Sequence, residues 1–187
     1  MPSLLITTSR RTSNRVRSFI RDLSTVFPKS ERFNRGSLNQ EEVFARIRQS
    51  DARGLIIVTI FRGNPDSMMV YDIDGNLILD LKIESAILRR ELVKKKIARS
   101  IEAVYLCYTP ESSKVATNLI SFLSSILNLS PIETSTIPLI EDGNTNFIVS
   151  VDIKGKNVIW THYQANTGLE IGPRIRIKNV RSFEGVD

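Results

Sequence analysis

Few residues of this sequence could act on a substrate, and those few are scattered. His162 is the single histidine and Cys107 the single cysteine. A histidine-based triad would rest wholly on His162, which stands between Thr161 and Tyr163 and reads as a strand histidine with its hydrogen bonds met. Cys107, inside the apolar run LCY, reads as buried packing rather than a reactive thiolate. One cysteine makes neither an internal disulfide nor a thiolate metal cluster. The acids Asp66, Asp72, Asp74 and Asp80 are spread along hairpins without calcium-loop spacing. No Walker A pattern or strand-linked GxGxxG is present, and Gly63-Asn64-Pro65 reads as a hairpin turn rather than a phosphate loop. These residues predict a protein that is not an enzyme and takes no cofactor, metal or small-molecule substrate.

Arginine is the side chain with chemistry to offer. From Leu4 to Gly36 the chain places eight arginines and lysines against two acids, Asp22 and Glu31. Of 26 basic and 20 acidic residues, 18 of each remain for the rest of the chain, so the whole formal charge of +6 sits in this stretch. Arginine's planar fork suits bidentate phosphate contact and stacking on bases. The hydroxyl-rich loop Thr7–Asn14 carries Arg10 and Arg11 directly ahead of a predicted helix, whose free N–H groups and dipole favour an anion. Arg15, Arg17 and Arg21 follow on the helix, and Arg32 and Arg35 flank Phe33 beyond it. The bland reading is a capped helix with a solvated charged face. One-sided charge concentrated in so short a stretch favours a bound polyanion instead.

Two other groups of cations join as candidates: Lys94 and Lys95, within the basic run Arg89–Arg99, and Arg174 with Arg176, which alternate with Ile175 and Ile177 along the last strand together with Lys178. Alternation puts those three cations on one sheet face. The longest apolar runs, such as Leu55–Phe61, fall far short of the roughly 20 residues that span a bilayer. The N-terminus places arginines after its apolar run, the reverse of a signal peptide. A cytoplasmic protein with a nucleic-acid partner and no membrane partner is expected.

The elements that position these residues follow from apolar spacing. Leu4–Thr8 reads as a strand, and Thr12 or Ser13 as the cap of a helix over Asn14–Phe27 with Val16, Phe19, Ile20 and Leu23 on its inner face. Asn39 or Ser37 caps a second helix. Leu55–Phe61, Ser67–Asp72 and Leu77–Ile83 read as three strands joined by tight turns, and Glu84 to Ser100 as a basic helix. From Ala103 the pattern restarts. An offset of 100 pairs Leu4, Leu5 and Ile6 with Val104, Tyr105 and Leu106, Ser13 with Ser113, and Phe19, Ile20 and Leu23 with Leu119, Ile120 and Leu123. Asn146–Ile153, Val158–Tyr163 and Glu170–Val180 match the three strands. The expected fold is α/β, two similar halves of about 3–100 and 101–181 sharing one core within a single domain over 1–187. In the second half Val115, Thr117 and Ser121 replace Arg15, Arg17 and Arg21, so the arginines are not required to build the unit.

TTSRRTSNRVRSFIRDL, the RFNRG after it, the GNPD turn and the late EIGPRIRIKNV together resemble the Brix-domain family of ribosome-biogenesis factors, from about Ser3 to Val180. The chain is similar to compact archaeal members related to the small-nucleolar processing proteins. That resemblance implies two α/β halves, each similar to the anticodon-binding domain of class II aminoacyl-tRNA synthetases. It also implies binding of ribosomal RNA or its precursor during subunit assembly without catalysis. Other ribosome-assembly proteins are further candidate partners, but contacts made by the long flanking basic extensions of many eukaryotic relatives are not implied. By position, Arg10, Arg11, Arg15, Arg17 and Arg21 match the family's basic N-terminal segment, and Gly172-Pro173-Arg174 its late strand motif. The alternative is a protein-interaction module whose arginine face docks an acidic segment of another assembly protein.

Overall fold

The computed structural model describes residues 3–93, 103–140 and 146–183. Strand β1 (Leu4–Thr8) is buried at every position, because it lies between two parallel neighbours, β2 (Ser30–Arg32) and β3 (Leu55–Phe61), with both its faces covered. Strands β4 (Asn64–Tyr71) and β5 (Leu77–Ile87) continue the sheet antiparallel. In the second half β6 (Ala103–Tyr108) lies between β7 (Ile132–Glu133) and β8 (Asn146–Lys154), again parallel to both. Strands β9 (Asn157–Gln164) and β10 (Arg174–Ser182) follow antiparallel. β10 pairs with β5, so ten strands form one sheet in the order β2-β1-β3-β4-β5-β10-β9-β8-β6-β7. Read from either edge to the centre, the order and the sense of every pairing are the same.

Two helices pack on one face of this sheet. α1 (Asn14–Ser24) and α5 (Thr117–Leu127) turn Val16, Phe19, Ile20 and Leu23, and Leu119, Ile120, Leu123 and Ile126, onto a core that runs unbroken through both halves to Trp160, Ile175 and Ile177. On the opposite face α2 (Gln40–Ser50) lays Val43 and Ile47 over Leu5, Leu55, Ile57 and Tyr71. Asn39 caps α2 in a reciprocal box with Glu42. The second half has Ile137 and Ile140 against Cys107, Ile148 and Ala165 in that place.

The structure corrects several expectations. The predicted helix over Glu84–Ser100 begins as strand, since β5 runs to Ile87, and helix α3 spans Arg89–Leu92. Pairing of Ser85, Ala86 and Ile87 with Arg176, Ile175 and Arg174 overrides the helix-forming residues there. Lys94, Lys95 and the residues after them up to 102 lie outside the described residues. β10 begins at Arg174, after a cis Gly172-Pro173 bond, and not at Glu170. The offset of 100 holds for the helix faces, since Phe19, Ile20 and Leu23 and their partners Leu119, Ile120 and Leu123 are all buried in the same core. It fails at the cap. Ser113 belongs to a separate turn, α4 (Ser112–Val115), and α5 starts at Thr117 behind Ala116, which offers no side-chain cap.

Candidate nucleic-acid interface

α1 has three faces, and its arginines divide between two of them. Its buried face holds the core residues. A second face is tied to the end of β5 and to α3. There Arg15 pairs with Glu91, Nη2 to Oε2 at 3.0 Å, and donates to the Ala86 carbonyl, while Asp22 accepts from the Arg89 backbone N–H at 3.0 Å. The Arg15 guanidinium holds the Glu91 carboxyl below the usual carboxylate range. Burial pushes Asp22 the other way, upward, against the pull of the Arg89 N–H. The third face carries Asn14, Arg17 and Arg21, all exposed. A two-residue step turns a helix by about 200°, so Arg15 and Arg17 point to nearly opposite sides.

The open face of α1 looks onto a cleft at the C-terminal ends of β1 and β2. Thr8, Arg10, Thr12, Arg17, Asn34 and Arg35 line it, with Ile20 at its base, around about 270 Å³. Crossover geometry makes the cleft: two parallel strands end side by side, and the loops leaving them, one to α1 and one to α2, splay apart. Arg10 and Arg35 are oriented by backbone, Arg10 Nη2 to Ser37 O at 3.0 Å and Arg35 Nε to Leu38 O at 3.1 Å. The side chains of Arg10, Arg17 and Arg35 have no ion pair among the described residues. Thr12 Oγ1 is shielded from solvent there without a hydrogen-bond partner. The helix N-terminus itself is closed: Ser13 Oγ accepts from Val16 N at 3.1 Å. Three cations, the unpartnered Thr12 hydroxyl and the Asn34 side chain share one cleft, a chemistry that suits an anion.

The structure thus brings Arg10, Arg17 and Arg35 together, with Arg11, Arg21 and Arg32 exposed outside the cleft. Arg15 is set apart by Glu91. Arg174 and Arg176 are paired too, Arg174 Nε with Glu170 Oε1 at 2.7 Å and Arg176 with Glu84 at 2.6 Å. With Lys178 they lie on the side away from the buried Ile175 and Ile177, as the alternation predicts, but they do not share one depression. The register shifts on both sides of Ile177, and alternation breaks after Lys178, where Asn179 is exposed as well. Arg174 and Arg176 line one depression with Asp152 and Glu170, and Lys178 lines another. Sequence reasoning did not single out Thr12 or Asn34 for the cleft. Thr12 is one residue from the true cap, and Asn34 lies inside RFNRG, a signal that was read for its arginines.

His162 is fully buried, its Nδ1 2.8 Å from the Pro173 carbonyl, with Nε2 unpartnered and its pKa pushed by burial down to about 4. Such an imidazole is neutral and sealed beneath Phe27 and Trp160. Burial raises the Cys107 thiol's pKa, the opposite of activation. Among the described residues no three His, Cys, Asp or Glu side chains are placed to hold a metal ion, and no helix is long and apolar enough to cross a membrane.

No protein-family model matches the sequence. A probable Brix domain-containing ribosomal biogenesis protein of Pyrococcus abyssi is 25% identical over 186 residues, 94% of this chain and 83% of that protein. The U3 small nucleolar ribonucleoprotein protein imp4 of Schizosaccharomyces pombe is 25% identical over 183 residues, 95% of this chain and 60% of that protein. The matches to the first four curated relatives span between 31% and 60% of those proteins' own length. Among solved structures, a probable ribosomal biogenesis protein from Aeropyrum pernix K1 superposes with a TM-score of 0.74 at 24% identity, over 96% of this chain and 97% of that one, which shows the fold. Along its length in sequence, and in fold, the chain is a relative of the Brix domain-containing ribosomal biogenesis proteins.

Proposed function

We propose that the chain is a ribosome-assembly factor that holds ribosomal RNA or its precursor on the arginine end of its first half, assisting processing without catalysis. The observation that carries this reading is the convergence of Arg10, Arg17 and Arg35, free of described acids, on one cleft. Arg11, Arg21 and Arg32 extend the cationic surface around it. The names of the relatives supply the process, and the cleft supplies the chemistry. Arg15, Arg174 and Arg176 serve this surface less directly, because each already neutralises a carboxylate. Lys94 and Lys95 remain in the proposal as a second contact along the same RNA.

The matching strand orders support a further reading of the architecture: one domain made of two related α/β halves, about 3–100 and 101–181, each similar to the anticodon-binding domain of class II aminoacyl-tRNA synthetases. In that reading the first half kept RNA recognition and the second kept the scaffold. Cytoplasmic work beside other assembly proteins fits the same picture.

A salt titration tests the RNA reading. Binding to a ribosomal RNA fragment should weaken steeply as salt rises, with a log–log slope of about −0.7 per neutralised phosphate on single-stranded RNA. A salt-independent affinity would sink it.

A further inference from the structure

The hairpin tip between β3 and β4 carries an aromatic and a cation whose placement the fold does not require. Phe61, at 60%, is the most exposed phenylalanine among the described residues, ahead of Phe183 at 43%, whereas Phe19, Phe27, Phe33, Phe122 and Phe147 are buried. Arg62 lies over the Phe61 ring, 5.2 Å from its centroid, and has no ion pair among the described residues. Its φ of 47°, followed by 83° at Gly63, is the two-residue turn that Asn, Asp or Gly enters at less cost than arginine. Neither burial nor turn preference accounts for Phe-Arg at this tip.

Its position does suggest a use. The tip stands at the C-terminal end of β3, the same end of the parallel strands as the cleft of Arg10, Arg17 and Arg35. Ser13 Oγ, at the N-terminus of α1, donates to the Gly63 carbonyl at 2.7 Å and so fixes the tip against the arginine helix. Between the tip and the β5–β10 pair is a depression of about 440 Å³, lined by Phe61, Arg62, Pro65 and Lys178 together with Arg15 and Glu84. That volume falls in the range of about 300–1,000 Å³ that holds small ligands. Arg15, Glu84 and Asp66, an acid that also lines the depression, are occupied by Glu91, Arg176 and Lys82, which leaves Arg62 and Lys178 as the unpaired cations beside an exposed aromatic ring.

We infer that the Phe61–Arg62 tip is a stacking platform for an unpaired RNA base, with Lys178 taking an adjacent phosphate, so that the RNA held here is single-stranded where it crosses the tip. An aromatic face flanked by arginine stacks any base, but it reaches one only when the base is out of a duplex. The inference rests on the RNA reading above and adds to it a class of RNA.

The test compares a short single-stranded oligouridylate with a blunt RNA duplex of the same length, at low salt, on the whole chain. Phe61→Ala should weaken binding of the single strand by about fivefold or more and leave the duplex unchanged, and Phe61→Tyr should bind as the parent does. The melting temperature of Phe61→Ala should match the parent, since the ring is exposed. Equal losses on both RNAs, or no loss on the single strand while charge reversal at Arg17 and Arg21 abolishes it, would overturn the platform and leave the RNA reading standing. A parent protein that binds neither RNA overturns both. Loss of binding to a polyglutamate peptide with RNA binding intact would make the tip a protein-docking site and overturn the platform.

Discussion

The Ser13 hydroxyl and the Gly63 carbonyl, 2.7 Å apart, join the arginine helix to the β3–β4 hairpin, while the same oxygen caps α1 by accepting from Val16 N. One side chain therefore sets the angle between the two parts of the proposed RNA surface. Ser13→Ala loses both bonds and should cost about 1–2 kcal/mol in urea unfolding. Ser13→Asp keeps the acceptor for the cap and, ionised, has no proton to give Gly63, so it should fall between the two. An Asp variant as unstable as the Ala variant would show that the cross-link, and not the cap, supplies the stability.

Arg17 and Arg21 lie on the open face of α1, exposed and without an ion pair among the described residues. Replacing both with glutamate should abolish binding to a ribosomal RNA fragment and leave the thermal midpoint nearly unchanged. Filter binding beside a melting curve reads both at once. Intact binding in a folded double variant would remove this face from the proposal.

Periodicity sufficed for the elements that bury a full apolar face. Val16, Phe19, Ile20 and Leu23 announce α1, and Leu55–Phe61 announces β3, because burial selects residues at a fixed interval. β2 was missed, since Ser-Glu-Arg has no apolar pattern and is a strand solely by pairing with Leu4, Leu5 and Ile6. The last residues of β5 were misread for the same reason: a partner far along the chain decides them. The candidate cleft was legible as composition and not as geometry. Charge counting found Arg10, Arg17 and Arg35, but it could not see that Arg15, two residues from Arg17, turns away to Glu91, or that Arg174 and Arg176 have acids within reach. Pairing across the fold is what separates a structural arginine from a free one.

The Arg15–Glu91 pair clamps α1 to the end of β5, each side chain about a third exposed, 31% and 34%. Solvent screening limits such a pair to about 1 kcal/mol. Arg15→Ala should lower stability by about that much and reduce RNA affinity less than Arg17→Ala does. Because the Glu91 carboxyl is held below its ordinary range, the stabilisation is present above the ordinary carboxylate range and is lost as pH falls through the lowered pKa. A double-mutant cycle with Glu91→Ala isolates the pair. A larger RNA defect for Arg15→Ala than for Arg17→Ala would return Arg15 to the binding surface.

His162 makes a sharper pH prediction, because it is the only histidine in the chain. Burial pushes its pKa down to about 4, with Arg89 adding to the effect and the Nδ1 bond to Pro173 opposing it. An unfolded histidine titrates near 6.5. Between those values the unfolded chain takes up a proton that the folded chain refuses, so stability present above pH 6.5 is lost as pH falls toward 4. The slope approaches about 1.4 kcal/mol per pH unit, which amounts to about 2 kcal/mol by pH 5. Carboxylates contribute little in the upper part of that window, so the slope there belongs to His162. His162→Phe should flatten it, whatever the variant's absolute stability after the Pro173 bond is lost, and the new ring has Phe27 and Trp160 to pack against. Urea unfolding of both proteins at several pH values between 6.5 and 5 makes the comparison, and equal slopes would mean that the imidazole is not held neutral by the core.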